Sequence, residues 1–178
     1  MIRSARTLAA AAVLLASAAG CQPASPAPAA LPDGTGSASA GAAVDSLTLT
    51  RTRCYGFCPA YRVVLRPSGE VRFQQTWPDS LPEHRGTITP AQFNALVAGA
   101  DATGFWTLPT LMAEDPAVCG MRRTDSPTTV VGVFGAARSH LVEDYSGCSR
   151  EPAALRAWEA RIDSVAGVSR WVVTPRSR

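Results

Sequence analysis

The 178-residue chain contains no lysine, so arginine carries all 17 of its basic side-chain charges. They are nearly balanced by 14 acidic residues, and the longest basic run is Arg122-Arg123. Proteins that bind nucleic acids usually carry a dense basic patch or stripe, so this composition argues against a nucleic-acid partner. The chain also lacks the run of roughly 20 apolar residues that a transmembrane helix requires.

Histidine is scarce, and the common catalytic motifs are missing. The sequence contains no H-E-x-x-H, no G-x-S-x-G, no phosphate-cradling glycine loop and no dinucleotide fingerprint. One hypothesis is a metal site built from His140, Asp144 and Asp125, because nitrogen and oxygen ligands suit Zn or Mn. We favour a His140 on the exposed face of a hairpin and an Asp125 that closes a turn. We therefore predict no catalytic, cofactor-binding or metal-binding residues, and the sequence favours a non-enzymatic protein while leaving catalysis open.

The N-terminal residues Met1–Gly20 are typical of a secretory signal. Two arginines precede the apolar run Leu8–Ala16, and small residues follow it. The segment Ala18-Ala19-Gly20-Cys21 resembles a bacterial lipobox, although its first position usually holds leucine or a larger aliphatic residue. Ordinary cleavage after Ala18 or Ala19 is the alternative, because Ala16-Ser17-Ala18 fits an A-x-A site. The sequence thus predicts lipidation at Cys21 and an exported lipoprotein anchored to a membrane of the bacterial cell envelope, on the periplasmic side or the cell surface.

The remaining chain divides into a linker and one domain. Residues 21–43 are rich in alanine, proline, serine and glycine and contain a single charged residue, Asp33. Such a segment cannot bury enough apolar surface to offset the entropy lost on ordering, which predicts a disordered tether. Residues 44–174 are long enough for a single globular domain with one core.

Four cysteines lie within the predicted domain: Cys54, Cys58, Cys119 and Cys148. An even number in an exported chain predicts two disulfides, for which three connectivities exist. We favour Cys54–Cys58 and Cys119–Cys148. In the alternative, Cys54 and Cys58 form a redox pair or bind a soft metal. Such pairs usually lie where a strand passes into a helix, whereas residues 60–66 alternate like a strand.

Apolar periodicity predicts an α+β fold. Alternating segments predict strands over residues 46–50, 61–66, 71–74, 128–134 and 138–145. Thr89 and Gln92 form a capping box for a first helix, and a second helix begins near Glu151 and ends at Gly167. We read residues 77–86 and 108–127 as loops and residues 170–173 as a short edge strand. The resulting order, β-β-β-α-β-β-α, predicts an antiparallel sheet of about five strands with two helices on one face, a two-layer sandwich.

The open face of the first three strands carries Arg62, Arg66 and Arg72. Arginines on neighbouring strands can form a platform for an anionic ligand or a glycan. More often they form a solvated face, which is the interpretation we favour here.

The cysteine segment Thr52-Arg53-Cys54-Tyr55-Gly56-Phe57-Cys58-Pro59-Ala60-Tyr61 resembles the T-x-C-[YF]-G-x-C-P-x-Y motif of an uncharacterised family of bacterial exported proteins and lipoproteins. Asp125-Ser126-Pro127-Thr128-Thr129, Val142–Gly147 and Ile162-Asp163 fit the same family, over roughly residues 46–173. Cys119 and Cys148 look like additions to its usual pattern. The resemblance implies a fold and a location in the cell envelope, but no activity.

Together these features predict a non-enzymatic module that is tethered to a membrane by its N-terminal lipid. It would bind an envelope protein or a small ligand and need no cofactor. The alternative is a thiol redox or copper-handling protein that uses the Cys54/Cys58 pair.

Overall fold

A computed structural model describes residues 44–150 and 152–174 of the chain. The predicted signal peptide, Cys21 and the whole linker lie outside the described residues, so they stay predictions. Among the described residues, no helix has the length and apolar character needed to cross a membrane.

The described residues form six strands and three α-helices. The strands are β1 (Val44–Arg51), β2 (Ala60–Leu65), β3 (Glu70–Trp77), β4 (His84–Thr87), β5 (Thr128–Gly135) and β6 (Ser139–Tyr145), and the helices are α1 (Pro90–Ala102), α2 (Pro116–Cys119) and α3 (Ala153–Ala166). Single 3-10 turns cover Phe105–Thr107, Met112–Glu114 and Val168–Arg170. All strands join one antiparallel sheet in the order β4-β3-β2-β1-β5-β6. This confirms the α+β class and the antiparallel sheet.

One face of the sheet and the helices enclose the core. The apolar side chains on one face of the first three strands are all buried: Leu47, Leu49, Tyr61, Val63, Leu65, Val71 and Phe73. Helices α1 and α3 cover them with Phe93, Leu96, Leu155 and Ile162. The helices approach closely at Gly99, where a Cβ atom would lie 2.5 Å from the ring of Trp158. Trp158 Nε1 donates a hydrogen bond to the carbonyl of Leu96 at 2.8 Å, which satisfies the buried indole.

The predicted start of α1 is confirmed in detail. Thr89 Oγ1 accepts a hydrogen bond from the backbone N–H of Gln92 at 3.1 Å. Gln92 Oε1 in turn accepts one from the N–H of Thr89 at 2.8 Å. The reciprocal pair satisfies two amides that would otherwise lack partners at the helix end.

The sheet has a sixth strand that the sequence did not indicate. Residues 77–86 read as a loop, yet His84–Thr87 pairs with β3, with Phe73 opposite His84. Trp171 packs over this edge, because its ring stacks on His84 at 5.9 Å between centroids and also contacts Phe73 at 5.5 Å. The strand exists because it completes β3, not because of its own apolar pattern.

The predicted edge strand over residues 170–173 is wrong. Trp171 N–H donates to the carbonyl of Val168 at 2.9 Å, so the chain makes a helical turn there. Val173 then meets the sheet through a side chain, because its N–H donates to Oε1 of the fully buried Gln75 at 2.9 Å. Gln75 Nε2 also donates to the carbonyl of Val173 at 3.0 Å, so the buried amide has both a donor and an acceptor partner. Val173 thus contacts the sheet through the Gln75 side chain and not through strand pairing. The short helix α2 was also not expected, since residues 108–127 read as an irregular loop.

Candidate functional site

Three loops meet at one end of the sheet, where β1 and β6 end and β2 and β5 begin. Two disulfides fasten these loops. Cys54 and Cys58 are bonded with an S–S distance of 1.98 Å, and Cys119 and Cys148 with 2.08 Å. This is the connectivity that the sequence favoured. The first bond closes the β1–β2 loop, and the second ties the segment before β5 to the segment after β6.

The β1–β2 loop presents two aromatic side chains to solvent. Tyr55 is 90% exposed and Phe57 is 56% exposed. The loop is nevertheless held in place, because the N–H of Tyr55 donates to the carbonyl of Asp125 at 3.1 Å. At its base, the N–H groups of Thr52 and Thr128 each find an acceptor on the other residue. Exposed aromatic groups on a fixed loop are typical of surfaces that bind another molecule.

The segment before β5 is held just as firmly. Arg123 N–H donates to the carbonyl of Gly147 at 2.9 Å, and the hydroxyl of Tyr145 donates to the carbonyl of Arg123 at 2.6 Å. A Cβ atom on Gly147 would collide with both the Tyr145 ring and the Arg123 carbonyl oxygen. Only glycine therefore allows the two segments to come this close.

A cavity of about 380 Å³ lies between this segment and β6. Its walls are formed by Leu111, Ala113, Glu114, Arg122, Arg123, Thr124, Asp125, Thr128, Glu143 and Tyr145. Asp125 joins the cavity to the aromatic loop, because its carbonyl receives the hydrogen bond from Tyr55. We call this cavity the end pocket; the loop that exposes Tyr55 and Phe57 is bonded to its wall at Asp125.

Asp125 lies in the bend before β5. Its φ angle is 65°, a left-handed conformation that aspartate tolerates better than most residues. Its Oδ2 accepts a hydrogen bond from Oγ1 of the preceding Thr124 at 2.9 Å, so this contact joins neighbouring side chains, and closure of a turn by the Asp125 carboxylate stays a prediction.

The three residues of the metal hypothesis do not come together. Among the residues that the structure describes, no group of three potential ligands of the His, Cys, Asp and Glu types is close enough to hold a metal ion. Asp144 is buried and paired with Arg156, whose Nε lies 2.8 Å from Oδ2. His140 contacts the carbonyl of Leu108 through Nε2 at 2.9 Å.

The expected position of His140 on an exposed face is wrong. Its ring packs against Phe105 at 5.1 Å between centroids, on the same side of β6 as the buried Val142. Because alternate residues of a strand share a face, this histidine faces the helical layer and is half-buried.

The predicted arginine face is only partly free. Arg62, Arg66 and Arg72 line a shallow depression of about 210 Å³ on the sheet. Arg72 is engaged, because its Nε donates to Oε1 of Glu70 at 2.8 Å. Glu70 also receives Arg85 at 2.9 Å, so part of the positive charge on this face is neutralised.

A charge cluster between α3 and the sheet was missed in the sequence. Arg51 donates to Oδ2 of Asp163 through Nε at 3.0 Å and Nη2 at 2.8 Å, and to the hydroxyl of Thr129 at 2.7 Å. Its Nη1 lies 3.7 Å from Oε2 of Glu159, a residue that is 1% exposed. We call Arg51, Asp144, Arg156, Glu159 and Asp163 the α3 charge cluster.

This cluster contains three carboxylates and two guanidinium groups, so one bound proton would make it neutral. Burial, reinforced by Asp144 and opposed by Arg51, raises the pKa of Glu159 to about 8. Burial also raises the pKa of Asp163, although Arg51 works against it. Oε1 of Glu159 is buried without a hydrogen-bond partner among the described residues. Oδ1 of Asp163 is likewise buried without a partner among the described residues. Burial therefore favours one proton within this cluster near neutral pH.

The signal for this cluster is present in the sequence. Arg51 follows Leu47 and Leu49 at alternate positions, which directs it to the buried face of β1. Glu159 lies four residues after Leu155 and three before Ile162, on the apolar stripe of α3. A charged residue at each of two core-facing positions predicts a buried ion pair.

The fold and the end pocket define a class of protein: a small α+β sandwich whose loops at one end of the sheet are fastened by two disulfides. Residues 45–166 match the family described as Domain of unknown function (DUF6438). The chain belongs to this family, which confirms the resemblance to a domain of unknown function. No curated protein matches the chain.

Proposed function

We propose that this protein is a non-enzymatic module of the bacterial cell envelope, tethered by a lipid on Cys21, that binds a ligand in the end pocket. The observation that carries the proposal is a cavity of about 380 Å³ whose wall, at Asp125, is hydrogen-bonded to the loop that exposes Tyr55 and Phe57. Ligand sites are typically concave, largely preformed and lined by a few polar groups.

Rigidity supports binding at this place. A loop that must be ordered on binding loses affinity to conformational entropy, whereas a loop that is already fixed does not. Here the disulfides and the hydrogen bonds at Tyr55, Arg123 and Tyr145 fix both sides of the cavity. Little of the binding free energy would therefore be lost to ordering these loops.

The surroundings of Cys54 and Cys58 argue against the thiol redox or copper-handling alternative. A reactive cysteine pair needs a lowered thiol pKa, which a helix N-terminus commonly provides. Cys54 and Cys58 are followed by β2, a strand, and their sulfur atoms are bonded to each other. This environment favours a structural role for the pair.

Filling the cavity should abolish binding. Ala113 lines it and is half-buried, so Ala113→Trp would place an indole in the space that a ligand needs. A ligand at one hundred times its dissociation constant should stabilise the wild type by about 2.7 kcal/mol and leave this variant unchanged. The measurement is a thermal-shift screen of amino acids, short peptides, sugars and nucleotides.

The matched control, Ala136→Trp, adds the same side chain in the exposed β5–β6 turn and should respond like the wild type. The proposal fails if no compound stabilises the wild type, or if Ala113→Trp responds equally.

Replacing Cys21 should release the protein from the membrane. The wild type, expressed in a bacterium, should incorporate radiolabelled palmitate and sediment with membranes, because more than one acyl chain gives stable anchoring. Cys21→Ser should lose the label and appear in the soluble fraction. Ala24→Ser introduces the same residue three positions later and should behave like the wild type. An unlabelled, soluble wild type would instead support ordinary cleavage of the signal.

A further inference from the structure

The end pocket contains charged side chains of both signs that do not pair with each other. Arg122 and Arg123 line it together with Glu114 and Glu143. Within the described part of the chain, none of these four side chains forms an ion pair or a hydrogen bond. Arginines elsewhere in the fold do find carboxylates, as Arg138 does with Asp101 at 2.9 Å.

The backbone explains why these opposite charges stay apart. The Arg122–Arg123 segment is fixed to the chain after β6, where Arg122 bridges to Cys148 and the N–H of Arg123 donates to Gly147. Glu143 is fixed within β6, and its N–H donates to the carbonyl of Thr110 at 2.7 Å. The arginines and Glu143 lie on two segments that are each fixed by backbone hydrogen bonds. A charged molecule placed between these segments can therefore interact with both.

The balance of charges limits what this molecule can be. A simple anion would find the two arginines but would also meet Glu114, Glu143 and the nearby Asp125. A simple cation would find those carboxylates but would meet the arginines. A ligand with one group of each sign, a short distance apart, avoids both penalties.

We propose that the end pocket binds a short peptide with a free ammonium group and a free carboxylate. This inference rests on the proposed function, since it names the ligand class for the same cavity. The forked guanidinium groups of Arg122 and Arg123 suit the planar carboxylate, and Glu114 and Glu143 receive the ammonium group. The loop that exposes Tyr55 and Phe57 is bonded to the cavity wall at Asp125, and its aromatic rings would offer apolar surface to a peptide that extends beyond the cavity.

The size of the cavity agrees with this ligand class. At about 380 Å³ it lies toward the lower end of the range of roughly 300–1,000 Å³ that is common for ligand sites. Such a volume suits a ligand of a few residues rather than a folded partner. The ends of a short peptide are also close enough together to reach two walls of one cavity.

The test uses a set of dipeptides, each in four forms: with free ends, acetylated at the N-terminus, amidated at the C-terminus, and blocked at both ends. Binding to the full folded domain is followed by NMR titration. At least one dipeptide with free ends should bind, and blocking either end should weaken its affinity about tenfold or more. Equal binding of a free and an N-acetylated dipeptide would overturn the inference, and so would failure of every dipeptide to bind.

Variants assign each end of the peptide to its wall. Arg122→Ala/Arg123→Ala should bind the free and the amidated dipeptide equally weakly, because the carboxylate no longer has a partner. Glu114→Gln/Glu143→Gln should lose the preference for the free amine. The controls Arg62→Ala and Asp79→Asn remove exposed charges outside the pocket and should match the wild type.

If all variants bind like the wild type, the dipeptide lies elsewhere and the inference fails. If a sugar or nucleotide from the earlier screen binds in an Ala113-dependent way and dipeptides do not, the proposed function stands and only the ligand class is wrong.

Discussion

Replacing both Cys119 and Cys148 with alanine should lower the free energy of unfolding by roughly 3–4 kcal/mol. The bond joins residues 29 positions apart, so it removes much of the loop-closure entropy from the unfolded chain. Both cysteines are also only 1% exposed, and the lost sulfur packing adds to the effect. Urea unfolding followed by tryptophan fluorescence under non-reducing conditions measures the change.

The Cys54–Cys58 bond provides a matched control for this prediction. It joins residues only four positions apart, so Cys54→Ala/Cys58→Ala should cost about 2 kcal/mol on the same grounds. The two losses should therefore differ by more than 1 kcal/mol in favour of the longer loop, as the logarithmic dependence on loop length requires. Equal losses, or a larger loss from the short loop, would contradict the argument from chain entropy.

The Cys119–Cys148 disulfide also helps to fix one wall of the end pocket. Cys148 follows Gly147, whose carbonyl holds Arg123 in place. Without the Cys119–Cys148 bond, the segment before β5 keeps its hydrogen bonds to the chain after β6 but loses its covalent link to that chain. The same disulfide therefore stabilises the fold and helps to hold Arg123 at the proposed binding site.

The parts of the fold that depend on local pattern could be predicted from the sequence. Leu47 and Leu49 alternate in β1, and Val63 and Leu65 in β2, because one face of the sheet is buried. The Thr89 cap likewise depends only on its neighbours. The strand β4 could not be predicted in this way, because His84–Thr87 carries no apolar alternation and depends on pairing with β3.

The candidate site illustrates the same limit. The even cysteine count indicated two bonds, and the observed pairs are the connectivity that we favoured among three. The cavity itself depends on contacts between segments far apart in the sequence, such as the 2.6 Å hydrogen bond from Tyr145 to Arg123. Neither segment has a pattern that predicts this contact. The α3 charge cluster is a different case, because Arg51 and Glu159 occupy positions whose periodicity already marks them as buried.

Glu159 should make the protein less stable as the pH rises from about 5 to 8. Its pKa is about 8 in the folded protein, against an ordinary value near 4.5. Between these values the folded state holds a proton that the unfolded chain has released, so the free energy of unfolding falls as the pH increases. The slope from one such group is at most about 1.4 kcal/mol per pH unit, which amounts to several kcal/mol over the whole interval. The contribution is complete below the unfolded pKa and is lost as the pH passes through about 8.

Glu159→Gln tests this prediction, because glutamine resembles the protonated acid and cannot release the proton. The variant should be close to the wild type in stability at pH 5 and more stable than it at pH 8, as measured by urea unfolding at a series of pH values. Glu114→Gln makes the same substitution at an exposed position and should keep the slope of the wild type. Asp163→Asn is informative as well, because the raised pKa of Asp163 contributes with the same sign. A Glu159→Gln variant whose slope equals that of the wild type would show that Glu159 is ionised in the folded protein. The α3 charge cluster would then carry a net negative charge at neutral pH, and Arg51 and Arg156 would have to balance three carboxylates without a bound proton.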